Sequence, residues 1–153
     1  MFLKRKKTGI KLVQDKLDII DYAFTSLKAT SFADLGGVWG VDGAYTYYSL
    51  GKYNISEAVL VDRYFTKATK EQATKYPRLR LIQGNFGDEL ICANVGQVDA
   101  LFLFDVLLHQ VSPDWDRILE NYAPNTKSMI IYNQQWIGTE STVRLLELGE
   151  DEY

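Results

Sequence analysis

Phe32-Ala33-Asp34-Leu35-Gly36-Gly37-Val38-Trp39-Gly40-Val41-Asp42-Gly43 decides the reading of this chain. A short strand-like run meets an acid and then breaks into a glycine-rich turn. Further on, a second strand-like run, Ala58-Val59-Leu60-Val61, also ends in an acid, Asp62. Glycines let the first turn pass close under a ligand, and a carboxylate at the tip of the next strand accepts from ribose hydroxyls. The pattern predicts an open α/β sheet with a pocket for an adenosine-type cofactor.

The 153 residues suffice for one domain with a substantial core. A net charge of −3 argues against binding along a phosphate backbone, which relies on a basic face. The basic run Lys4-Arg5-Lys6-Lys7 reads as a solvated N-terminal tip rather than a nucleic-acid arm. One cysteine, Cys92, rules out an intramolecular disulfide and suits a reducing compartment. The start lacks an apolar signal core, and no apolar run reaches ~18 residues. A cytoplasmic chain with neither nucleic-acid nor membrane partners is expected.

Ile10, Val13, Leu17, Ile20, Phe24 and Leu27 recur at helical spacing and predict an amphipathic helix over residues 8–28. Strand-like runs then alternate with helix-compatible ones. The strands fall at 31–35, 58–62, 80–83, 98–104 and 128–132, and the helices at 43–50, 65–76, 88–94, 113–122 and 139–148. Ala100-Leu101-Phe102-Leu103-Phe104 is apolar throughout, which fits a parallel strand covered on both faces. Ser112 and Pro113 predict a helix start, with serine as N-cap and proline at the first helical position. The expected architecture is a three-layer, doubly wound, mostly parallel α/β sheet. An N-terminal helical segment, residues 1–30, packs on a core of residues 31–153.

A dinucleotide fingerprint needs Gly-x-Gly-x-x-Gly, and glycines at 36, 37, 40 and 43 do not supply it. The turn instead resembles Asp-x-Gly-x-Gly-x-Gly, the first motif of class I S-adenosylmethionine-dependent methyltransferases. Asp34, Gly36 and Gly40 match, and Val38 stands at the middle glycine. Val38 needs negative φ, so the turn must be remodelled. Asp62 closes the second strand where that family holds both ribose hydroxyls. Leu81-Ile82-Gln83-Gly84-Asn85-Phe86 is similar to the strand tip preceding its adenine contacts. The stretch 98–111, with Asp105 and the sole histidine His109, resembles its fourth strand and the loop after it. The resemblance covers about residues 32–136.

The resemblance implies a Rossmann-like core with strand order 3-2-1-4-5 and S-adenosylmethionine as cofactor. It places Asp34, Gly36, Gly37, Gly40, Asp62, Arg63, Asn85, Phe86 and Asp105 at the cofactor. Asn85 can accept from the adenine amine, and Phe86 can pack on the ring. Methyl transfer is an in-line displacement in which the protein aligns donor and acceptor, and a base helps a hydroxyl nucleophile. His109 is the candidate base and Asp105 a second catalytic candidate, against a loop-structuring role for His109. Asn133, Gln134, Gln135 and Trp136 suit a polar small-molecule acceptor at the end of the fifth strand. No metal is expected, because one histidine and one cysteine do not make a typical cluster.

Nothing after residue 132 reads as the C-terminal hairpin that this family adds. The fifth strand is therefore expected at the sheet margin, covered by a second copy of the chain or by the helix at 139–148. Two other functions compete with methyl transfer to oxygen or nitrogen. One is a cofactor-binding but catalytically weak subunit or fragment, and the other a nicotinamide-dependent enzyme, which the glycine spacing disfavours.

Overall fold

β1 (Ser31–Leu35) and β4 (Val98–Phe104) carry apolar residues on both faces, so each needs cover on both sides. The computed structural model, which describes residues 9–133, supplies that cover with helices. β1 and β4 pair with each other, β2 (Glu57–Asp62) lies outside β1, and β3 (Leu79–Gln83) lies outside β2. β5 (Thr126–Tyr132) lies outside β4. All pairings are parallel, and the order β3-β2-β1-β4-β5 is the expected one. Strand order reverses between β1 and β4, which opens a crevice at their carboxyl ends.

α1 (Gln14–Thr25) and α2 (Ala44–Lys52) cover one face. There Ile20, Ala23 and Phe24 bury against Phe32, Ala100 and Phe102. α4 (Glu89–Val95) and α5 (Trp115–Tyr122) cover the other, where Cys92, Val95, Ile118 and Tyr122 meet Ala33, Leu101 and Leu103. α3 (Lys67–Ala73) follows β2 and is capped by the Thr66 hydroxyl. It joins α2 through Tyr47, whose hydroxyl donates to the Thr69 carbonyl at 2.6 Å. At the amino ends of the central strands, Asp99 accepts from the Thr30 N–H and hydroxyl and pairs with Lys127 at 2.6 Å. Lys127 first, and then the Thr30 backbone, hold the Asp99 carboxyl well below the usual range.

Two local expectations are corrected. The first helix runs Gln14–Thr25 rather than 8–28, leaving Ile10, Val13 and Leu27 on exposed flanks while Ile20 and Phe24 enter the core. Val13 ends the extended lead-in, and its N–H donates to the Tyr45 hydroxyl at 3.0 Å instead of continuing a helix. The fifth helix starts at Trp115, not at Pro113. Asp114 is its N-cap, accepting from the Trp115 N–H, while the Pro113 ring lies against Gly87, where a Cβ would meet it at 2.6 Å. The helix expected at 139–148 lies outside the described residues. Among the described residues β5 pairs with β4 alone and so occupies the expected margin.

Phe102 is fully buried, stacked on Phe32 at 5.0 Å and Phe104 at 5.4 Å, with the Phe24 edge at 5.9 Å. Removing such a ring leaves a cavity that neighbouring strands cannot close. Phe102→Ala should therefore destabilise the fold by about 3–5 kcal/mol, read from the midpoint of a urea transition.

Candidate functional site

The crevice is built by two acids and a turn. Asp34 is an acid in an otherwise apolar strand, buried to 1% exposure, and it accepts from the Thr46 hydroxyl of α2 at 2.6 Å. The turn crosses directly over its carboxylate, which a Cβ on Gly37 would strike. Gly36 is equally constrained, since its Cβ would lie 2.7 Å from a Val106 methyl. Gly36, Gly40 and Gly43 take φ of 72°, 73° and 80°, conformations that favour glycine. Val38 avoids positive φ, as its β-branched side chain requires, and is fully buried. Its N–H donates to Asp62 Oδ2 at 3.0 Å, so the tip of β2 is tied to the turn of β1.

A cavity of about 540 Å³ opens over this turn. Asp34, Gly36, Gly37, Gly40, Asp105 and His109 line it, and all six are residues singled out from the sequence. His109 is exposed and reaches the cavity from the short 3₁₀ turn Leu107–His109 after β4. Asp105 has left-handed backbone, φ 56°, and its N–H donates to the Tyr132 carbonyl at 2.7 Å, which fixes it between β4 and β5.

Sequence reasoning missed Lys16, Trp39, Val41, Tyr45, Phe104 and Val106, which also line the cavity. Lys16 is the most informative of these. It is 8% exposed on α1, and its Nζ pairs with Asp105 Oδ2 at 2.6 Å. The same ammonium lies 5.1 Å from the Tyr45 ring centre, 5.2 Å from that of Tyr132 and 5.9 Å from that of Phe104. Aromatic faces attract a cation, so the box partly replaces lost hydration. A signal was present in the sequence. Lys16 sits one helical turn before Ile20 and two before Phe24, a charge on the apolar stripe itself.

Asp62, Arg63, Asn85 and Phe86 are grouped on the β2–β3 side and do not themselves line the cavity. Asp62 is mostly buried and Arg63 is exposed. Asn85 Oδ1 accepts from the Gly87 N–H at 3.0 Å, stabilising the turn after β3. Phe86 is buried in the α4–α5 core, its ring edge 3.4 Å from where a Gly36 Cβ would stand. Its carbonyl accepts from the Tyr122 hydroxyl at 2.7 Å. Asn133 follows β5, and its buried Oδ1 has no hydrogen-bond partner among the described residues. Gln134, Gln135 and Trp136 lie outside the described residues.

No family model and no curated protein matches the chain. Solved structures do. An O-methyltransferase family protein from Burkholderia thailandensis superposes with TM-score 0.56 and 19% identity, covering 74% of this chain and 34% of that one. The N-terminal domain of EvdMO1 with S-adenosylhomocysteine bound gives 0.60 and 18%, covering 75% and 48%. The plantazolicin methyltransferase BamL, in complex with a triazolic desmethylPZN analog and S-adenosylhomocysteine, gives 0.53 and 16%, covering 74% and 40%. The chain spans between a third and a half of the length of these structures. It has the Rossmann-like fold of class I S-adenosylmethionine-dependent methyltransferases.

Burial pushes the Asp34 carboxyl up to about 6, with the Thr46 hydroxyl drawing it down, Asp62 raising it and Lys16 lowering it. A folded value above the unfolded 3.8 means that the folded state binds the Asp34 proton more tightly. The resulting stabilisation is fully present below pH 3.8 and is lost as pH rises through about 6. The shift from 3.8 to about 6 corresponds to about 3 kcal/mol across that window. Asp34→Asn keeps an acceptor for Thr46 but cannot ionise, so it should flatten this part of the pH–stability curve. Urea unfolding of both proteins at several pH values measures the difference, and parallel curves would refute the assignment.

Proposed function

We propose that the chain binds S-adenosylmethionine across the β1–β4 crevice and transfers its methyl group to an oxygen or nitrogen of a small polar acceptor. The observation that carries this reading is the turn at Gly36–Gly37, floored by Asp34 and tied to Asp62 at the next strand tip, beside a cavity of about 540 Å³. A carboxylate at the second strand tip beside a glycine turn suits the ribose of an adenosine cofactor. The Val38 N–H engages Asp62 Oδ2, which leaves Oδ1 for a ribose hydroxyl. Arg63, Asn85 and Phe86 then border the adenine on the β2–β3 side, and the amino-acid end of the ligand enters the cavity. S-adenosylhomocysteine in structures of the same fold supports this reading.

When bound, S-adenosylmethionine would supply an electrophilic methyl group for in-line displacement by an acceptor oxygen or nitrogen, with its sulfur as leaving group and the acceptor proton passing to a base. His109 at the cavity edge is the candidate base, and Asp105 orients the acceptor or the ligand amine. Asn133, Gln134, Gln135 and Trp136 supply the acceptor side. Cys92, a buried free thiol, fits a reducing cytoplasmic setting. No helix among the described residues is long and apolar enough to cross a membrane. A second copy of the chain is the proposed cover for β5, and light scattering reads it directly: a dimer supports the pairing and a monomer removes it.

The remodelled turn favours one second reading, a cofactor-binding subunit with little turnover, because Val38 fills the place of a motif glycine. Calorimetric titration with S-adenosylmethionine, S-adenosylhomocysteine and NAD tests the cofactor, and turnover on a panel of hydroxyl and amine acceptors tests catalysis. Asp62→Ala should weaken S-adenosylhomocysteine by about 1.5–3 kcal/mol, the range for a charge-assisted hydrogen bond. It also strands the Val38 N–H, so Asp62→Asn, which keeps an acceptor there, separates loop damage from lost ribose contacts. Wild-type affinity in both variants would remove Asp62 from the site. His109→Ala should leave cofactor affinity intact while turnover on a hydroxyl acceptor falls by ~10²–10⁴-fold. Loss of folding together with binding would assign His109 to the loop's structure instead.

A further inference from the structure

We propose that the Lys16–Asp105 pair reads the charge on the ligand's sulfur and so sets the preference between methyl donor and demethylated product. The inference rests on the cofactor reading above and concerns a residue of α1 that the reading itself does not use. S-adenosylmethionine carries a sulfonium cation, whereas S-adenosylhomocysteine carries a neutral thioether. The two ligands are otherwise nearly the same size, so a fixed charge near the sulfur is an effective means of telling them apart.

Lys16 and Asp105 line the same cavity as Gly36 and Gly37, and their side chains meet at 2.6 Å. A ligand with its ribose at Asp62 and its amino-acid end in this cavity would carry its sulfur past the Gly36–Gly37 turn and into the space that the pair also lines. Lys16 is 8% exposed and boxed by Tyr45, Tyr132 and Phe104, so water and salt screen its charge poorly. The ammonium repels a sulfonium and the Asp105 carboxylate attracts it. While both are present the two fields largely offset, and donor and product compete on similar terms. Removing either charge tips that competition, and the two removals tip it in opposite directions. A merely structural ion pair has no such signature, since losing either half would weaken both ligands alike.

The experiment is calorimetric titration of the folded protein with each ligand at neutral pH, comparing the ratio of the two dissociation constants. Lys16→Met should favour S-adenosylmethionine over S-adenosylhomocysteine by on the order of tenfold relative to the unaltered protein, and Asp105→Asn should shift the ratio by a similar factor the other way. Lys16→Arg should leave it nearly unchanged. The double change Lys16→Met/Asp105→Asn, which removes both charges, should return the ratio toward its starting value. Should Lys16→Met fail to fold, Asp105→Asn and the double variant carry the test. An unchanged ratio, or shifts in one direction for both single variants, overturns the inference. Binding of neither ligand by the unaltered protein overturns the cofactor reading instead.

Discussion

A fully buried carboxylate in the middle of an apolar strand is the constraint around which the crevice forms. Asp34 needs a donor and finds it in Thr46, which fixes the start of α2 against β1. The chain between them must then turn directly above the carboxylate, and only a residue without a Cβ passes at position 37. Asp62 completes the arrangement from the next strand by taking the Val38 N–H. Two acids therefore shape one turn, and burial first, with the nearness of Asp62 adding to it, raises the pH to which Asp34 holds its proton. Buried polar groups of this kind are costly unless satisfied, so their partners are specified closely.

The rest of the sheet makes that crevice available. Helical crossovers on both faces reverse the strand order beside β1, and a cavity opens where the turns after β1 and β4 meet. Aromatic stacking of Phe32, Phe102 and Phe104 runs along the floor of the same face toward the cavity. Phe104 thus ends the core and begins the site, so packing and ligand space are continuous there.

Much of this was legible in the sequence because it is local. Near-continuous apolar runs marked β1, β2 and β4, and glycines at special φ marked the first turn. Asp34, Gly36, Gly37, Gly40, Asp105 and His109, marked by strand-end position together with the methyltransferase resemblance, meet at one cavity. Helix limits were less legible. The stripe from Ile10 to Leu27 continues past both ends of α1, and at the start the Val13 N–H goes to a tyrosine hydroxyl far along the chain. Ser112-Pro113 looked like a helix start, yet the next residue with a free carboxylate, Asp114, was better placed to cap. At α1 the competing partner is distant in sequence, whereas at α5 it is a local cap beside the proline.

Lys16 shows what local reading cannot reach. Helical periodicity places it among core residues, where a lone charge looks like an imperfection of the pattern. Its partner Asp105 follows β4, the rings of Tyr45, Phe104 and Tyr132 come from α2, β4 and β5, and no spacing rule connects them. A buried ammonium persists only if charge and aromatic faces together repay its lost hydration. The same partly buried pair would be replaceable by apolar side chains if it served stability alone, since such a replacement is often neutral or stabilising. Its position on the cavity wall therefore argues for a ligand as the reason that α1 carries a lysine there.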